Sequence, residues 1–162
     1  AFRGDVAEGQ TELRLELPVD ARIPDDYIES ERLRLEAYQK LSTAAAPLSP
    51  DDALDRVIEE LADRYGELPE AVQQLVAVSR LRRRAQKAGL GEVVAMGGRM
   101  RLAPLDPPDS IQVRLTRMYP GVKFFAAQHA VNVPMPEGAS DAELIAWVGQ
   151  LLDAAAPAPA RE

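Results

Sequence analysis

The sequence predicts an α+β fold: an antiparallel sheet of about five strands packed on helices, with three helices in the N-terminal half and a mixed C-terminal half. Three observations carry this expectation. Leu13, Leu15 and Leu17 alternate with polar residues near the start. Apolar residues then recur at helical spacing in three segments between Pro and Gly breaks. Strand-like runs return after Gly91, the first two joined by Gly97-Gly98.

The alternating stretch Thr11 to Val19 reads as a strand with one buried face, and Pro18 ends it. An irregular bridge follows, in which Pro24 disfavours helix at Ile23. Ser30 is placed to cap a first helix, with Leu33, Ala37, Tyr38 and Leu41 on its apolar side. "APLSP" breaks it. Ser49-Pro50-Asp51-Asp52 then supplies a cap, a proline for the first turn, and acids for the positive helix end. This second helix is expected to run to about Arg64, with Gly66 as its stop.

Pro69 opens a third helix that continues to about Ala88. Its first half is apolar on several sides, and its basic second half is expected to emerge into water. "EVVAMGGRMRLAP" reads as a hairpin turning at Gly97-Gly98. Pro108 starts a short helix that stops before Pro120-Gly121. "VKFFAA" and "AVNVPM" read as two more strands, with Gln128-His129 between them as a turn. Ser140 to Glu143 forms a capping box for the last helix. Residues 1–12 are expected to be a remnant linker cut from a longer chain, 13–153 one domain, and 154–162 a disordered tail.

Composition closes off several functions. The chain has 162 residues and a formal net charge of −7, which repels phosphate and disfavours nucleic acid as the main partner. With no Cys, disulfides and Cys-ligated metals are excluded, which fits a reducing compartment. No apolar run approaches the roughly 20 residues of a membrane span, and no leader peptide is recognisable. One His, His129, cannot build a His-rich metal site. No Gly-rich run ends in Gly-Lys-Ser/Thr, and Gly89-Leu-Gly91 follows a helix instead of a strand, so neither a P-loop nor a dinucleotide fingerprint is present.

Carboxylates crowd the second helix. At about 100° per residue, Val57, Ile58, Leu61 and Tyr65 stay within about 60° of Leu54, and Asp52, Glu59 and Asp63 fall opposite. Glu60 and Arg64 lie on one flank. Acids on a wet convex face suit a solvated surface or a protein-docking patch; catalysis with a divalent ion is a weaker third option, since catalytic carboxylates sit in clefts. The basic run has five cations in eight residues: Arg80, Arg82, Arg83, Arg84 and Lys87. These residues suit intramolecular pairing, protein docking or phosphate contact, but no aromatic residue interleaves for base stacking. The corner "DRYGELPEAV" is not a DNA reader, because the helix after it starts acidic and then apolar. It reads as packing, with Tyr65 and Leu68 inward and Gly66 and Pro69 setting the turn.

"LRLELPVDARIPDDYIESERLRLEAYQKL" and "EELADRYGELPEAVQQLVAVSRLRRRAQKAGL" together closely resemble the C-terminal domain of bacterial transcription-repair coupling factors. Leu17 to Ile28, Arg32 to Leu41 and Glu60 to Leu75 follow that family's pattern in order and spacing. The resemblance implies a non-catalytic regulatory domain of an ATP-driven double-stranded DNA translocase. ATP and Mg²⁺ would belong to the parent's motor domains, with no cofactor in this segment. The parent would engage stalled RNA polymerase, DNA and UvrA in the bacterial cytoplasm. This domain, itself monomeric, would dock on the parent's N-terminal UvrA-binding module and restrain the motor. By direct match to "ELADRYG", the docking residues would be Glu60, Asp63 and Arg64, with Glu59 added on helical geometry. The alternative is an accessory nucleic-acid or polymerase contact through residues 80–87.

Overall fold

The computed structural model describes residues 12–156; all but the last residue of the expected linker 1–12, and residues 157–162 of the expected tail 154–162, lie outside them. The described residues divide into two compact units, Val19–Arg83 and a second made of residues 12–18 with 84–156.

The Val19–Arg83 unit is helical. Helix α1 spans Glu31–Ala44, and the Ser30 hydroxyl accepts the Leu33 N–H at 3.2 Å, as the capping pattern predicts. Helix α2 spans Ala53–Tyr65 and helix α3 Glu70–Lys87. Ser49 does not cap α2. Its hydroxyl donates to the carbonyls of Ala44 and Ala46 at 2.6 and 2.7 Å, where α1 has just ended. Those orphan carbonyls compete successfully for the hydroxyl, and α2 begins later, after a turn at residues 50–52. The core of this unit is Ile23, Ile28, Ala37, Leu41, Leu54, Leu61, Val72 and Val76, with Tyr27, Tyr38, Val57, Ile58, Tyr65 and Leu68 packed at its margin. Arg83 and Arg84, at the division between the units, both lie within α3.

The other unit carries a sheet of order β1-β2-β3-β5-β4. The strands are β1 (Arg14–Glu16), β2 (Glu92–Met96), β3 (Arg99–Ala103), β4 (Lys123–Phe125) and β5 (Ala130–Pro134). Three of the four strand pairings are antiparallel, but β1 pairs with β2 in parallel, so the sheet is mixed. The cause is connectivity. All of α1 to α3 separates β1 from β2, ample length for a crossover that returns the chain in the same direction. The predicted hairpin is present: Gly97 and Gly98 take φ of 60° and 78°, the two positive values that its tight turn requires.

Helix α4 spans Asp109–Met118 and helix α5 Asp141–Ala155. The capping box of α5 is complete in both directions. Between β4 and β5 the expected turn is a short 3-10 helix, Ala126–Gln128, followed by His129 in the left-handed region. Leu15, Val93, Leu102, Val131 and Phe124 form one row across the strands, and they line the apolar face with Met100 and Val133. Leu115 of α4 and Leu144, Ile145, Val148, Leu151, Leu152, Ala154 and Ala155 of α5 are buried.

Candidate docking surface

The corner between α2 and α3 is built by three side chains and one glycine. Gly66 ends α2 with φ 92° and ψ −170°, a region only glycine enters without strain, and its N–H reaches the Ala62 carbonyl. The Tyr27 hydroxyl donates to the Gly66 carbonyl at 2.8 Å and lies 3.2 Å from the Leu61 carbonyl. The Tyr27 and Tyr65 rings meet at 5.7 Å between centroids, tilted by 58°. Burial, and then the proximity of Tyr65, push the Tyr27 hydroxyl above its ordinary pKa. On the far side of the corner, Gln73 donates to the Leu68 carbonyl at 2.9 Å, and the Gln73 N–H bonds the Pro69 carbonyl. Tyr65 and Leu68 are half-buried and pack against the core of this unit.

This corner fixes the end of α2 and with it the acidic face. Leu54 and Leu61 are buried, while Asp55, Glu59 and Asp63 are exposed, as the helical angles require. Glu60 is half-buried on the flank. Its carboxylate takes Lys40 of α1 at 2.5 Å and stands 3.9 Å from Arg64. Arg64 also lies over the Tyr65 ring at 5.1 Å. Asp52 pairs with Arg56 at 3.1 Å, and Asp55 with Arg80 at 2.8 Å. Glu59 and Asp63 have no ion-pair partner among the described residues. The face is therefore a fixed cation-carboxylate cluster, Lys40-Glu60-Arg64, bordered by two carboxylates presented to solvent. Lys40 was missed in the sequence, because a pair between two helices leaves no signal in the period of either one.

The basic run behaves differently from expectation. Its middle does not emerge into water: Arg82, Arg83 and Arg84 are all half-buried. Arg83 keeps only 12% of its side chain exposed and donates to Ser49 O at 2.9 Å and to Asp51 at 2.8 Å. Arg84 donates to the Leu152 and Ala156 carbonyls at the end of α5, at 3.3 and 2.5 Å, and lies 3.4 Å from Asp153. A cation at a helix C-terminus satisfies orphan carbonyls and the negative helix end together. Arg80 and Lys87 are the exposed members of the run. His129 holds both oxygens of Asp106 at 2.8 Å on the surface. Among the described residues no helix is long and apolar enough to cross a membrane, and no three metal-ligating side chains cluster.

The TRCF domain family profile matches residues 17–112. Transcription-repair-coupling factors of Mycobacterium bovis and Mycobacterium tuberculosis are each 44% identical to this chain over 161 residues, covering 94% of it. The Escherichia coli transcription-repair-coupling factor is 35% identical over 86 residues, 53% of the chain. The chain spans only 13% of the mycobacterial proteins' length. Among solved structures, the crystal structure of the C-terminal domain of a transcription-repair coupling factor superposes with a TM-score of 0.68 at 19% identity, covering 90% of this chain and 95% of that one. That likeness carries the fold, and the profile match, which spans most of the chain, carries the family: the chain belongs to the TRCF domain family, the C-terminal domain of transcription-repair coupling factors.

Proposed function

We propose that this chain is the autoregulatory, non-catalytic region of a DNA translocase acting in transcription-coupled nucleotide-excision repair. Residues 13–153 dock on the N-terminal UvrA-binding module of the same protein, mask the surface that recruits UvrA, and restrain the motor until RNA polymerase engages. The parent works in the bacterial cytoplasm and binds ATP and Mg²⁺ in its motor domains. It contacts RNA polymerase, UvrA and double-stranded DNA, while this segment takes no cofactor.

The observation that carries the reading is the contrast along α2. Asp52, Asp55 and Glu60 are each engaged by a cation of their own unit, while Glu59 and Asp63 stand exposed with no ion-pair partner among the described residues. Two carboxylates held beside a fixed Glu60-Arg64 pair suit an arginine-rich partner, because arginine binds carboxylates through two hydrogen bonds. A releasable dock also calls for a charged, moderate interface in place of a large apolar seam.

The test is Glu60→Ala with Asp63→Ala in the full-length parent. Basal ATPase and UvrA binding should both rise. Wild-type levels of both would remove this face from the clamp. The alternative contact through residues 80–87 has less support, since Arg80, Arg83 and Arg84 are committed to Asp55, Asp51 and the end of α5.

A further inference from the structure

The strand register sorts every sheet side chain onto one of two faces, because directly paired residues point the same way. The face opposite the apolar core holds Arg14, Glu16, Glu92, Val94, Met96, Arg99, Arg101, Ala103, Ala130, Asn132, Pro134, Lys123 and Phe125. Its charges are not mixed evenly. Both carboxylates, Glu16 and Glu92, lie on β1 and β2. The half formed by β3, β5 and β4 carries Arg99, Arg101 and Lys123 and no carboxylate. From residue 110 to 136 the sequence contains no Asp or Glu at all, in a chain of net charge −7.

The same half carries Phe125, 39% exposed, and the amide of Asn132. Its arginines are held in place. Arg99 donates to Asn132 and, at 2.7 Å, to the Gly121 carbonyl. Arg101 is fixed by Glu92 at 3.0 Å and Gln128 at 3.4 Å. Strand geometry puts Arg99 and Arg101 about 7 Å apart at the backbone, and Arg101 and Lys123 about 10 Å apart across two strands.

We propose that this half of the sheet face binds single-stranded nucleic acid, with phosphates on Arg99, Arg101 and Lys123 and a base stacked on Phe125. Cations, an amide and an exposed ring on a flat sheet match a charged backbone with unstacked bases. The basic run on α3 has no aromatic beside it; this half of the face sets the exposed Lys123 and Phe125 next to its two half-buried arginines.

The experiment is fluorescence anisotropy of a labelled 20-nucleotide oligodeoxythymidylate titrated with this chain. Saturable binding is expected at low salt, with log affinity falling against log salt at a slope of about −2, the value for three phosphates on a single strand. Arg101→Glu with Lys123→Glu should weaken binding at least tenfold, as should the exposed Lys123→Glu alone by several-fold. Phe125→Ala should weaken it several-fold without changing the slope. Arg114→Glu with Arg117→Glu, on the solvent side of α4, should leave it unchanged. The proposal is overturned by absence of binding at 50 mM salt, by undiminished binding in the folded Lys123→Glu variant, or by polyglutamate competing as well as unlabelled oligonucleotide.

Discussion

The Tyr27 hydroxyl donates to the Gly66 carbonyl at 2.8 Å, tying the bridge before α1 to the residue that ends α2. One hydroxyl thereby serves the C-terminal turn of the helix that carries Glu59, Glu60, Asp63 and Arg64. Removing it should loosen that turn before anything else. Tyr27→Phe keeps the ring contact with Tyr65 and loses the hydrogen bond, so it should cost about 1 kcal/mol. In a chain of this size that lowers the thermal midpoint by roughly 2–4 °C, which differential scanning calorimetry resolves.

The same hydroxyl predicts an alkaline limit. Burial raises the pKa of Tyr27 above the tyrosine value of 10.0, and burial with Asp153 nearby does the same for Tyr119. A group whose folded pKa is raised contributes stability that is present below its unfolded pKa and is lost as pH rises through the folded value. Unfolding free energy should therefore be flat approaching pH 10 and fall above it. Denaturant titrations across that window should show a shallower fall for Tyr27→Phe than for the wild type.

Gly66→Ala should be more damaging than Tyr27→Phe. The position has φ 92° and ψ −170°, and nothing crowds the space a Cβ would enter, so the whole cost is backbone strain. That strain is of order 1–3 kcal/mol. A substitution that left the midpoint unchanged would mean the corner re-forms with another geometry.

Lys40→Met should separate docking from stability. The Lys40-Glu60 pair is short, but both side chains are 40% exposed or more, so its loss should change stability by less than about 1 kcal/mol. Docking should still weaken, because Glu60 loses the cation that orients it. Equal affinity of the variant and the wild type for the N-terminal module would assign Lys40 a purely structural part.

Much of this was legible in the sequence. Ser30, the Ser140-Glu143 box, Gly66 and Gly97-Gly98 act through local backbone chemistry, so their roles could be read from a few neighbouring residues. The outward side of α2 followed from helical angles alone. What escaped depended on partners distant in sequence. Ser49 was read as a cap because the carbonyls of Ala44 and Ala46 that capture it are exposed only once α1 has ended. The parallel pairing of β1 with β2 is set by the crossover between them, which strand periodicity does not encode. Arg83 and Arg84 looked solvent-bound because Asp51 lies 32 residues away from one, and the Ala156 carbonyl 72 residues away from the other. The face of the acids was readable; the cation on the neighbouring helix that fixes Glu60 was not.

The most direct test of the central claim is calorimetric titration of this chain with the N-terminal UvrA-binding module of the same full-length protein. The account predicts saturable binding that weakens with added salt, and loss of at least tenfold in affinity for Glu60→Ala with Asp63→Ala at unchanged thermal midpoint. No heat of binding at low salt, or equal affinity of that variant and the wild type, would contradict it.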